Sequence, residues 1–140
     1  MSSHVDNVPR WVRIVIGIFA VINIAYGVMC YFDMSILFHH ATGLDLTNPS
    51  IKNAGYEFAS RNLAIGLALG FVTIIKGAPE ALVILTIVRA LIEIQTIILS
   101  IAQGNINAML IIPVVFLAVE IVIVKTLVGV IKKEEELEKS

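Results

Sequence analysis

The sequence predicts an all-α fold, a four-transmembrane-helix bundle with both termini cytoplasmic. Three observations predict it. Hydrophobic residues make up 58% of the 140-residue chain and charged ones only 15%, with a mean hydropathy of +0.92. A soluble domain of this length has too little interior to hide so much apolar side chain. The apolar residues fall into four runs, each long enough to cross a bilayer at about 1.5 Å rise per residue. Basic residues are also lopsided. Arg10, Arg13, Lys76, Lys125, Lys132, Lys133 and Lys139 lie on the side shared by both termini, and Lys52 stands alone in the opposite loops. The positive-inside rule then puts the termini in the cytoplasm and residues 33–53 outside. The chain reads as one integral domain of the cell membrane, multi-pass, over residues 1–140.

The elements follow in order. Asn7 and Pro9 give a cap-then-proline helix start, and Arg10, Trp11 and Arg13 make an interfacial anchor. The first span covers about 11–32 and carries Asn23 near its middle, with Gly27 and Cys30 on the same side. It is longer than a signal-peptide core and has no small-x-small cleavage site, so it reads as retained. Cys30 is the single cysteine, which excludes an internal disulfide and suits a buried small residue. The outer loop contains a half-apolar segment, 35–43, with His39 and His40, expected as a short helix at the membrane surface. Asn48-Pro49 repeats the cap signal ahead of the second span, about 54–76. On that span Glu57 and Arg61 share one face, continued by Ala64 and Ala68, while Ala59, Asn62, Gly66 and Gly70 form a small-residue face for close helix packing. A tight turn leads into the third span, about 79–103, and another into the fourth, about 106–127, where Pro113 predicts a kink. Residues 128–140 read as a charged helix end in solvent.

The third span holds the most telling pattern. Thr86, Arg89, Glu93, Thr96, Ser100 and Gln103 recur at steps of three and four, so they form one polar stripe on an apolar rod. A charge turned to lipid costs roughly 2.5–3.5 kcal/mol at a helix centre, so the stripe is expected to face protein. Depth along the spans suggests partners. Arg61, Gln95, Glu93 and Asn23 fall about 9–13 Å below the outer end, and Arg89 and Glu120 about 18–21 Å below it. The expected layers are therefore Arg61/Glu93/Asn23 and Arg89/Glu120.

These residues suggest an outward-facing polar pocket. Glu93, Arg61 and Glu57 are the candidate catalytic groups, since carboxylates in unlike surroundings can divide acid and base roles. Asn23, Tyr26, Asn62, Arg89, Gln95 and Glu120 are the candidate ligand-binding groups. The matching ligand is a membrane lipid or an amphipathic small molecule, with isomerase-like or cyclase-like acid–base chemistry as an extension. Two rivals stand beside it: a non-catalytic structural or accessory subunit whose charges fix helix register, and a small proton-coupled transporter acting as a dimer. A homo-oligomer is left open. A net charge of −1 gives no field for nucleic acid. Adjacent histidines cannot share a helical face, so no metal is expected, and the sequence has no cofactor motif.

The run Ala59-Ser60-Arg61-Asn62-Leu63-Ala64-Ile65-Gly66-Leu67-Ala68-Leu69 resembles small prokaryotic four-helix membrane proteins, loosely the DoxX-like group. Those proteins have a similar Arg-polar-x-x-x-Gly opening to the second helix and a polar third helix. The resemblance implies the four-helix fold and no particular activity.

Overall fold

The computed structural model describes residues 8–35, 45–75, 77–102, 104, 106 and 110–139. They form four helices: α1 (Arg10–Phe32), α2 (Pro49–Ile74), α3 (Pro79–Ala102) and α4 (Ile111–Glu138). The expected Asn7 cap, the surface segment with His39 and His40, and Gln103 at the end of the polar stripe lie outside the described residues. All four helices are long and apolar enough to cross a membrane. Their large side chains point outward: Ile18, Val21, Phe71, Ile84, Ile98 and Val122 are each more than half exposed. The buried set includes Asn23, Thr86, Arg89 and Glu120. Apolar outside with polar groups within is the arrangement a bilayer selects. The protein is a multi-pass integral membrane protein.

The chain divides into two compact units, Ile14–Phe71, and Met1–Arg13 with Val72–Ser140. In the first, α1 and α2 pack antiparallel. A Cβ at Gly27 would stand 2.9 Å from the Ala59 carbonyl oxygen and the Leu63 nitrogen, and one at Gly66 would stand 2.8 Å from the Ile24 nitrogen. The small face of α2 thus serves helix contact within one chain, where backbones approach too closely for any side chain. On α1 each of the buried positions Ile16, Phe19, Ala20, Asn23 and Cys30 lies three, four or seven residues from another, the i, i+3, i+4, i+7 pattern of one helix face. Helix α2 starts as expected. The Asn48 side chain accepts the Ser50 N–H at 2.9 Å, and Pro49 occupies the first helical position, where its missing donor is not needed. Just ahead, the Asp45 carboxylate accepts from the Thr47 hydroxyl and from the Thr47 N–H. Asp33 accepts the Ser35 N–H at 2.9 Å beyond the end of α1. These bonds hold both carboxyls below the usual aspartate range, the Ser35 and Thr47 side-chain contacts contributing most.

In the second unit α3 and α4 also run antiparallel. The buried residues Pro79, Leu82, Thr86 and Arg89 form one stripe on α3. Pro113, Glu120, Ile123 and Leu127 form its counterpart on α4. The structure corrects one expectation here. Helix α4 begins at Ile111, so Pro113 sits in the first turn, not mid-helix. Backbone donors in a first turn have no intrahelical acceptor, so the proline removes nothing and gives no reason for a kink. At the other end α4 runs on to Glu138, carrying the charged segment as continuous helix.

Candidate functional site

Two charged groupings emerge, one in each unit. The first is built on α3. Arg89 lies ten residues into the helix, about 15 Å along the axis from Pro79. Its Nε donates to Glu120 Oε1 on α4 at 2.5 Å, and its Nη2 donates to Glu93 Oε1 one helical turn away at 3.0 Å. The Phe116 ring lies 5.1 Å from the guanidinium carbon, close enough for a cation–π contact. Arg89 and Glu120 side chains are 5% and 0% exposed, so this is an ion pair removed from solvent. Glu120 Oε2 is buried and has no hydrogen-bond partner among the described residues. The depth estimate thus paired Arg89 with Glu120 as the structure does. It missed Phe116, although 113, 116, 120, 123 and 127 share one helical face and could have revealed it.

The second grouping is on α2. Glu57 and Arg61 form an i,i+4 pair with Oε2 and Nη2 3.5 Å apart, and their side chains are 72% and 75% exposed. Next to them an open groove of about 400 Å³ is lined by Tyr31, Asn53, Tyr56, Glu57 and Ser60. Tyr31 and Tyr56 stack with ring centroids 5.7 Å apart and planes 17° from parallel. Neither tyrosine stood out in the sequence. The signal was their placement, one at the end of the first span and one at the start of the next, at equal depth.

Arg61, Glu93 and Asn23 are each engaged locally. Each has a partner on its own helix: Arg61 on Glu57, Glu93 on Arg89, and the Asn23 amide donating to the Phe19 carbonyl at 2.7 Å. A helix presents its i,i+4 neighbour without any further ordering, so local pairs form at least cost. Asn62 likewise donates to the Phe58 carbonyl at 3.0 Å. Tyr26 meets Phe58 edge to face at 6.1 Å. Gln95 is exposed. The polar stripe of α3 is also divided, with Thr86, Arg89 and Glu93 turned inward and Thr96 exposed, its hydroxyl donating to the Ile92 carbonyl.

No family model, curated protein or solved structure matches the chain.

Proposed function

We propose that the protein binds an amphipathic small molecule or membrane lipid at the Glu57–Arg61 face of α2, on the outer side of the cell membrane. One observation carries this reading. Glu57 and Arg61 lie about 5 and 10 Å inside the expected start of the second span near residue 54, yet their side chains are roughly three-quarters exposed. A charge pair open to the surroundings at that depth has a strong demand for polar company. A lipid head group meets it, and an acyl tail suits the apolar helix surface beyond. The reading is one of binding, because Glu93, the other carboxylate offered for acid–base work, is held by Arg89. The test is mass spectrometry of molecules retained after mild detergent extraction. Wild-type protein is expected to retain an amphiphile that Arg61→Met loses while its helicity and oligomeric state are unchanged. Absence of any retained amphiphile, or equal retention by the variant, overturns the proposal.

A second reading is favoured by the buried contact between Arg89 and Glu120. Under it the chain is a structural or accessory subunit whose charges lock α3 to α4. Arg61→Met would then change nothing, and Arg89→Met would disrupt assembly.

A further inference from the structure

We infer that the groove beside Tyr31 and Tyr56 receives the head group of a zwitterionic phospholipid, with its ammonium on the tyrosines and Glu57 and its phosphate on Arg61. The inference rests on the binding reading above and names its ligand class. Three features carry it. The first is the chemistry of the walls. Two tyrosine rings stacked 5.7 Å apart, each about two-fifths exposed, border the groove together with a carboxylate. Aromatic faces and a carboxylate are what a quaternary or primary ammonium seeks. The second is the neighbouring guanidinium, 3.5 Å from that carboxylate. Its planar donor fork matches a phosphate. An anionic lipid or a fatty acid would use the arginine but bring a like charge beside the Glu57 carboxylate, with no cation for the rings.

The third feature is the order of the charges along the helix. Glu57, Tyr31 and Tyr56 lie toward the Asn48 end of the α1–α2 pair, and Arg61 lies one turn further along α2. A phospholipid in a leaflet has the same order, with the ammonium outermost, the phosphate beneath it and the acyl chains deeper. Past Arg61 the same face of α2 carries Ala64 and Ala68, side chains short enough to leave a low apolar track for an acyl chain. Reversing the two charges would retain the ion pair but oppose the lipid's own polarity. Charge order is therefore a stronger indicator than the presence of charge.

The experiment is native mass spectrometry of the full chain in detergent, titrated separately with a short-chain phosphatidylcholine, the matching phosphatidylglycerol and the matching fatty acid. Phosphatidylcholine is expected to bind about tenfold tighter than phosphatidylglycerol. Tyr31→Leu and Tyr56→Leu should each weaken phosphatidylcholine roughly twofold to thirtyfold and leave phosphatidylglycerol unchanged. Tyr56→Phe keeps the ring and should keep the binding, which separates loss of recognition from loss of fold. Equal binding of the two phospholipids, tighter binding of the glycerol lipid or the fatty acid, or tyrosine variants without effect overturns the head-group assignment and leaves amphiphile binding standing. If none of the three probes binds saturably, both the assignment and the binding reading fall.

Discussion

Replacing Arg89 with methionine tests the charged centre of the α3–α4 unit most directly. The substitution preserves the volume of the aliphatic stem and removes a guanidinium that contacts both Glu120 and Glu93. Two magnitudes compete. Breaking a buried ion pair by deleting one partner costs about 3–5 kcal/mol in soluble proteins. Polar contacts between membrane helices average only about 0.6 kcal/mol, because separated helices find other partners. The larger value governs here for two reasons. Glu120 is fully buried, with its second oxygen already without a partner. Arg89 also lies mid-helix, too far from either end to extend to the surface. The expected loss is about 3 kcal/mol, measured by reversible unfolding in mixed micelles. Arg89→Lys should fall between wild type and methionine, since a point charge cannot serve two carboxylates and an aromatic face together. The double variant Arg89→Met, Glu120→Leu should recover at least half of the loss, because the fully buried carboxylate is then gone and only Glu93, 15% exposed, loses its partner. A single-variant loss below about 1 kcal/mol, the range of exposed pairs, would refute the reasoning. So would a double variant no more stable than Arg89→Met.

Other outcomes follow from local geometry. Gly66→Val places carbon against the backbone of α1, where a Cβ already meets the Ile24 nitrogen at 2.8 Å, and should destabilise the α1–α2 pair by about 1–3 kcal/mol. Gly70→Ala, whose nearest neighbour would be Ala20 Cβ at 3.7 Å, should be close to neutral in the same unfolding assay. Asn48→Ala removes the acceptor of the Ser50 N–H and should cost about 1 kcal/mol, seen as faster amide exchange in the first turn of α2. The turn at Asp45 should be insensitive to pH across the neutral range. Its carboxyl is held below the ordinary value by Thr47, so its contribution is complete above the unfolded-state pKa of about 3.9 and is lost as pH falls through the lower folded value. Amide shifts of Thr47 followed from neutral to strongly acidic pH check this, and a transition above the unfolded value would contradict it.

The sequence carried the architecture well because the bilayer simplifies the problem. Length and apolarity alone mark a helix that must cross about 30 Å of hydrocarbon, and the α2 start was legible in Asn48-Pro49 because capping chemistry is local. The pairing of charges was half legible. Depth along the axis correctly matched Arg89 to Glu120, which belong to consecutive helices. Depth takes no account of neighbours on the same helix, so it left out the contact between Arg89 and Glu93 one turn apart. The local partners of Asn23 and Thr86 were not legible from depth for a related reason. In lipid, a short polar side chain is satisfied first by the carbonyl four residues back, as in Asn23 to Phe19 and Thr86 to Leu82. Pro113 misled because its effect depends on where the helix begins, and a uniformly apolar segment gives no cap to mark that point.

The two charged groupings therefore ask different things of their surroundings. Around Arg89 the protein supplies the low-dielectric wall, the opposite charge and the aromatic face, so the guanidinium is largely provided for before any ligand arrives. Around Arg61 it supplies one carboxylate at 3.5 Å and leaves three-quarters of both side chains open. The same i,i+4 ion pair on membrane helices can thus stand for opposite roles, and exposure separates Arg61–Glu57 from Arg89–Glu93 where sequence spacing cannot. A purely structural chain would gain little from Glu57 and Arg61, because an exposed pair contributes about 0–1 kcal/mol while placing two charges on a membrane-spanning helix. That imbalance is the physical reason to look for the ligand on α2 and the structural lock on α3.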